Sequence, residues 1–290
     1  MNVDLSNTQP SPGAPDFKGL SPENDRFLRH FIHQESGILL GEEKDYLLHN
    51  RLTPILAQER LASLDELCQR LRRNEPSNVR RQVVEAITTH ETLFFRDIAV
   101  FDALRTTILP EIAALRKSSR TIRIWSAACS SGQEPYSLAM LLLEMGFGAW
   151  NIQIVATDLS EKILERASAG KYHRIEVNRG LPAALLIKYF DRSQNEWLIK
   201  EPVRRMVRFI PFDLRHDMRQ LGYFDLALCR NVLIYFDVDS RKKILSSLNG
   251  ALFPGGYLLL GSSETTFSLN DSFSRRIIGR ATFYQSNGAR

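Results

Sequence analysis

The sequence predicts an α/β protein in which a run of helices precedes an open, mostly parallel sheet that carries an insertion. Residues 23–117 show apolar stripes at helical spacing and no convincing strand. From Thr121 onward, short apolar runs alternate with helical segments, whereas residues 170–205 fit no simple alternation. With 290 residues, 43% hydrophobic and 24% charged, the chain is large enough for two domains and is not a disordered, collagen-like or coiled-coil sequence. The expected organisation is a disordered tail over 1–22, a helical domain over 23–119, and an α/β domain over 120–290 with its insertion at 170–205.

Each element has a local cause. Pro10, Pro12, Pro15 and Pro22 stand among polar residues too weakly apolar to order the first segment. Ser21 can then cap a helix whose first turn suits Pro22 and whose apolar face carries Phe27, Leu28, Phe31 and Ile32; Gly37 and Gly41 break it. Apolar stripes predict helices over 42–60, over 63–73 with Ser63 and Glu66 as a capping box, and over 78–90 and 97–117. Thr121–Ala128 reads as a strand and Pro135–Met145 as a helix. Ile152–Thr157 is a second strand, ending in Asp158, and Ser160–Ala169 a second helix; right-handed crossovers make the two strands parallel. Further strands are expected at Met206–Ile210, Phe224–Cys229, Tyr257–Gly261 and near Ala281–Tyr284. Inside the insertion we expect a short strand near Tyr172, a helix over Pro182–Phe190 and a strand around Glu196–Lys200.

Composition narrows the function. The longest apolar stretch, Leu138–Trp150, is interrupted by Glu144 and two glycines, short of the ~20 residues a spanning helix needs, so no membrane insertion is expected. The first residues lack a secretory pattern, and Cys68, Cys129 and Cys229 are too few and scattered for a disulfide framework or a metal site. The expected location is the reducing cytoplasm. The net charge of +5 resides in the second half, where residues 120–290 carry 23 basic and 16 acidic side chains. An anionic partner fits this excess, whether nucleic acid, nucleotide or carboxylate-rich protein.

The chemistry is expected at the carboxyl ends of the strands, where loops of an open parallel sheet converge. After the first strand, Ser126-Ala-Ala-Cys-Ser-Ser-Gly-Gln-Glu-Pro lets a ligand approach the backbone, but the G-x-G-x-x-G pattern of a diphosphate loop is missing. Glu134 sits where a pyrophosphate would meet a helix N-terminus and would repel it. Asp158 can accept both hydroxyls of a ribose, or else cap the following helix. A nucleoside with positive charge and no phosphate satisfies these constraints, and S-adenosylmethionine has that character. Asp213 could reach an adenine amine, and Arg230, Asn231 and Tyr235 stand at the mouth of the sheet. Cys129 and Cys229 read as small packing residues, since neither has a histidine nearby in its motif.

The stretches Thr92-Leu-Phe-Phe-Arg-Asp, Trp125-Ser-Ala-Ala-Cys-Ser-Ser-Gly-Gln-Glu-Pro-Tyr-Ser, Ala156-Thr-Asp, Cys229-Arg-Asn-Val-Leu-Ile-Tyr-Phe-Asp and Gly261-Ser-Ser-Glu resemble, in order, the motifs of the chemotaxis receptor methyltransferase (CheR) family. The resemblance spans roughly residues 23–285. It implies a class I S-adenosylmethionine-dependent methyltransferase sheet, Rossmann-like, with a small antiparallel subdomain inserted and an all-α domain in front. It also implies methylation of glutamates on the cytoplasmic domains of chemoreceptors, with S-adenosylhomocysteine as product. Carried over by motif, the cofactor contacts are Thr92, Arg96, Glu134, Asp158, Asp213, Leu214, Asn231 and Val232, with His90 standing where the family commonly has Asn. The segment before the last inserted strand is short and lacks glycine, unlike family versions that tether to a receptor's C-terminal pentapeptide, so no tether is expected. The loop Arg230-Asn-Val-Leu differs from the Asn-Pro-Pro-Tyr type of amine methyltransferases, so no nucleic-acid partner is expected.

Methylating a glutamate needs no general base, because a side chain with a pKa of ~4.3 is already ionised at neutral pH. The protein must supply alignment and dehydration. Arg96 is expected to orient the carboxylate or the cofactor, and Tyr235 to position the substrate. Arg51 and Arg60, in the helical domain, are candidates for gripping an acidic receptor bundle.

Overall fold

The computed structural model describes residues 20–41, 45–73 and 78–288, which divide between two compact units. The tail expected over 1–22 lies outside the described residues up to position 19, as do residues 42–44 of the second expected helix.

The first unit is helical. Its elements are α1 (Pro22–Ser36) as far as Ile32, α2 (Asp45–Glu59), α3 (Leu64–Arg72) and α4 (Asn78–Ile87). Ser21 Oγ accepts from the Asn24 amide at 3.4 Å, the cap that starts α1, and Gly37 with φ of 74° ends it. Ser63 caps α3 through the Glu66 amide at 3.2 Å, while Glu66 reaches back to the Ala62 amide at 2.7 Å, one residue earlier than a standard capping box. Leu28, Ile32, Leu52, Leu67 and Val83 are buried at the centre of this unit.

The second unit takes His33–Leu40 and everything from Thr88. The boundary therefore falls at residues 87/88, not at the expected 119/120. Packing explains the difference. α5 (Ile98–Ala103), a π-helical turn (Leu104–Ile108) and α6 (Leu109–Leu115) bury Phe101, Leu104 and Ile112 in the same apolar cluster as Ile124, Leu228 and Phe283 of the sheet. The expected single helix over 97–117 widens because Pro110 has no N–H to donate, and the Leu109 amide reaches back five residues to the Leu104 carbonyl.

Chain order continues with β1 (Thr121–Ala127), α7 (Gln133–Glu144), β2 (Asn151–Asp158) and α8 (Glu161–Ala169). The insertion holds β3 (Lys171–His173), α9 (Arg174–Val177), α10 (Ala183–Tyr189), β4 (Phe190–Ser193), β5 (Glu196–Ile199) and α11 (Glu201–Arg204). After it come β6 (Val207–Pro211), β7 (Phe224–Cys229), α12 (Val238–Gly250), β8 (Leu252–Leu260), β9 (Phe273–Ile278) and β10 (Ala281–Ser286). The main sheet has seven strands in the order β6-β2-β1-β7-β8-β10-β9. It is parallel from β6 to β8, and β10 runs antiparallel between β8 and β9. Strand alternation sends Leu226 and Leu228 to one face and Ala227 and Cys229 to the other, and both faces are buried.

The insertion forms its own antiparallel sheet in the order β3-β5-β4. β4 was not expected, because Phe190 is the one buried residue in Phe-Asp-Arg-Ser. β9 escaped for a similar reason. It is an edge strand whose Ser274 and Arg275 are exposed, so it lacks an apolar run. β8 begins five residues before the expected Tyr257 because the pairing with β7 shifts register between Phe224 and Leu226, absorbing Pro254-Gly-Gly within the strand.

Candidate active site

The carboxyl ends of β1, β2, β6 and β7 converge on a cleft. Five non-glycine residues with positive φ shape its loops: Phe95, Asp97, Ala128, Ser130 and Asn231. Such backbone geometry is costly and gathers where side chains must be aimed at a ligand.

β1 hands over to α7 through Ala128, Cys129, Ser130, Ser131 and Gly132. The Cys129 amide donates to the Thr157 carbonyl at 2.8 Å, which ties this turn to the end of β2. Gly132 has φ of 91°, and a Cβ there would stand 3.0 Å from Ala167 Cβ, so the turn needs glycine. Asp158 ends β2 with one oxygen accepting from the Ser130 amide at 2.9 Å and the other from the Ser160 amide at 3.1 Å. The helix cap is Ser160, which accepts from the Ile163 amide, so the alternative reading of Asp158 as that cap is set aside. Burial raises the Asp158 pKa above the ordinary carboxylate value, against the opposing pull of its backbone hydrogen bonds. A carboxylate offers about four acceptor sites, so about two remain for the hydroxyls of a ribose.

A buried guanidinium organises the opposite wall. Arg230, 7% exposed, donates to Glu134 at 3.0 Å, to the Arg96 carbonyl at 3.2 Å and to Asp97. Glu134 also accepts from Ser126 Oγ at 2.8 Å. Glu134 thus does line the cleft, but half of its carboxylate is committed to an ion pair. Asp213 likewise lines the cleft while holding Arg215 at 2.6–3.0 Å; Arg215 in turn donates to the carbonyls of Gln34 at 2.7 Å and Glu35 at 2.6 Å. Three donors of Arg215 leave about one acceptor site of Asp213 open to a ligand amine.

His90, Thr92, Arg96, Leu214, Asn231, Val232 and Tyr235 line the same cleft, so with Glu134, Asp158, Asp213 and Arg230 eleven positions read from the sequence come together. His90 bonds Thr88 Oγ1 through Nε2 at 2.8 Å, and its carbonyl accepts from Ser130 Oγ at 3.1 Å. Arg51 and Arg60 belong to the other unit. Arg51 is half-buried and donates to the Ile87 carbonyl at 2.8 Å, and Arg60 is exposed at the end of α2. Ser36 and Ile38 also line the cleft, a placement with no local signal because no motif surrounds them. Burial pushes the thiols of Cys129 and Cys229 far up, which makes them packing groups and not nucleophiles. Among the described residues, no cluster of side chains could hold a metal ion.

Glu91, Glu134, Asp158 and Asp213 face the cleft against two guanidinium groups, Arg96 and Arg230. Asn231 Oδ1 is buried with no hydrogen-bond partner, an acceptor awaiting a donor. This set suits a cationic nucleoside that brings hydroxyl and ammonium donors, and it opposes a pyrophosphate.

Residues 24–88 match the family model of the CheR methyltransferase all-alpha domain, and residues 90–280 match that of the CheR methyltransferase SAM binding domain. The chain belongs to the CheR methyltransferase family. It is 41% identical over 264 residues to the chemotaxis protein methyltransferase Cher2 of Pseudomonas putida, covering 89% of this chain and 96% of that protein. Identity to chemotaxis protein methyltransferase 1 of Pseudomonas aeruginosa is 43% over 251 residues, 84% and 91% of the two chains. The chemotaxis protein methyltransferase of Vibrio anguillarum is 42% identical over 260 residues, 88% and 93%. This CheR methyltransferase accordingly has a class I methyltransferase sheet, takes S-adenosylmethionine as its cofactor, and places the cofactor motifs read from its sequence around one cleft.

Proposed function

We propose that this enzyme methylates glutamate side chains on the cytoplasmic domains of chemoreceptors, giving methyl esters and S-adenosylhomocysteine. Bound S-adenosylmethionine supplies a methyl group on a positively charged sulfur. The observation that carries the reading is the division of charge in the cleft. Glu134, Asp158 and Asp213 form an acidic lining fit for a cation, whereas Arg96 is a lining cation with no carboxylate partner among the described residues. Its guanidinium is bonded to the Glu91 carbonyl at 3.3 Å. An incoming carboxylate would otherwise meet like charges.

In this reading Asp158 holds the ribose, Asn231 Oδ1 accepts from the ammonium, and Asp213 with Leu214 borders the adenine. Arg96 orients the acceptor carboxylate. Tyr235 positions it; the hydroxyl makes no hydrogen bond among the described residues, and the tyrosine carbonyl is anchored by the Leu39 amide at 2.8 Å. A fixed cation on the reacting oxygen stabilises the ionic ground state more than the charge-neutralised transition state, so Arg96 acts on the second oxygen. Replacing Arg96 with alanine is expected to cut kcat/KM for receptor about a hundredfold, with S-adenosylhomocysteine affinity changed less than about threefold. Single-turnover transfer together with calorimetry separates the two effects, and undiminished transfer would remove Arg96 from the reaction.

Arg60 is assigned to the receptor surface; Arg60→Ala should raise KM for a receptor fragment and leave cofactor affinity unchanged, and an unchanged KM would sink that assignment. The two-residue connection Gln194-Asn195 between β4 and β5 supports a receptor reached without a pentapeptide tether. The loop after β7 and the carboxylates of the cleft favour a protein acceptor over nucleic acid. Three free cysteines suit the cytoplasm, and among the described residues no helix is long and apolar enough to cross a membrane. The test is incubation with methyl-labelled cofactor and receptor cytoplasmic fragments. Esters release the label as methanol in alkali; alkali-stable label would overturn the proposal.

A further inference from the structure

We infer that Glu264 is a positioning residue for the cofactor cleft, acting through the backbone of Asn231 and Val232. It follows β8 in a loop and was read from the sequence only as part of Gly261-Ser-Ser-Glu. Its carboxylate collects backbone amides from two separate strand ends. Oε2 accepts from Gly261 at 2.7 Å and from Asn231 at 2.8 Å. Oε1 accepts from Val232 at 2.9 Å, from Leu233 at 2.7 Å and more distantly from Ile234 at 3.4 Å.

Charge-assisted bonds of this kind are stronger than neutral ones, and amides left unpaired in a half-buried loop would have no strand or helix partner. The clamp fixes the turn in which Asn231 adopts φ of 57°, a left-handed conformation that asparagine tolerates but does not prefer. A second observation shows how closely the parts fit. A Cβ on Gly261 would stand 2.7 Å from Glu264 Oε2 and 2.8 Å from both the Asn231 amide and its Nδ2, so glycine is required for the carboxylate to reach the loop. Asn231 and Val232 line the cleft, and the partnerless Asn231 Oδ1 is the atom whose aim the clamp controls. Glu264 itself does not line the cleft; it sets the geometry of residues that do.

The inference rests on the assignment of the cofactor to this cleft and not on the receptor substrate, so the probe is S-adenosylhomocysteine alone, titrated into the full chain by calorimetry. Glu264→Gln keeps the shape but turns one acceptor oxygen into a donor facing amide N–H groups. It is expected to weaken binding about tenfold or more, measured at a temperature where circular dichroism reports a fully folded protein. Asn231→Ala should also weaken binding, and in Glu264→Gln/Asn231→Ala the two losses should not multiply, because both act through one atom. Glu264→Asp, which keeps the charge one methylene short, should recover part of the affinity. A Glu264→Gln protein that binds within about twofold of the parent, or losses that multiply in the double variant, would reduce Glu264 to a stabilising contact and overturn the inference.

Discussion

Alanine in place of Asp158 is expected to weaken S-adenosylhomocysteine binding by about a hundredfold or more in calorimetric titration. Two hydroxyl donors to a buried carboxylate are each worth ~1.5–3 kcal/mol, and ~1.4 kcal/mol is a factor of ten. The site is prepared for this ligand at some expense to the apoprotein, since burial raises the Asp158 pKa while no lysine or arginine pairs with it among the described residues. In the apoprotein the unfolded chain ionises this group first, so its contribution to stability falls as pH rises from the ordinary carboxylate value of 3.8 through the raised one. The ligand favours the ionised form. Affinity should therefore be constant above the raised pKa and decline below it, with protons released on binding in that lower range. Titrations in buffers of different ionisation enthalpy read those protons, and Asp158→Ala should abolish the Asp158-dependent part of the pH trend. Unchanged affinity in the variant would dissolve the ribose assignment.

Arg230→Met should be the most destabilising substitution at the site, by about 3–5 kcal/mol in urea unfolding at neutral pH. Methionine approximates the buried stem but leaves Glu134 and Asp97 without the guanidinium that now bonds both. Glu134 is the worse placed, being half-buried behind Ser126 on the first turn of α7. The Arg96 carbonyl loses its donor as well, so the loop carrying Arg96 is released from the end of β7. A variant less than about 1 kcal/mol below the parent would mean that the cluster contributes little to the fold.

Much of this arrangement is legible in the sequence because it is local. The strand–helix alternation from Thr121 fixes the parallel core, and residues at strand ends such as Asp158 and Asn231 must then point at one edge of the sheet. Long-range pairing is what sequence reasoning missed. Nothing near Arg230 announces that it meets Asp97, 133 positions away, or that Glu264 reaches back about thirty residues to four consecutive amides. Asp213 seemed free to accept a ligand amine because Arg215, two residues on, gave no sign of being anchored by the carbonyls of Gln34 and Glu35. The domain boundary slipped for a related cause: α5 and α6 have an ordinary amphipathic pattern, which does not say which core they cover.

The central claim is that the acceptor is a glutamate carboxylate, and it is tested most directly by tandem mass spectrometry. The enzyme, S-adenosylmethionine and the cytoplasmic fragment of a chemoreceptor are incubated together, and the fragment is then mapped. We expect one added methyl group on the side chain of particular glutamates, lost on mild alkaline treatment and absent when those positions are alanine. A methyl group found instead on a lysine, a cysteine or a co-purifying nucleic acid, with the glutamates unmodified, would contradict it.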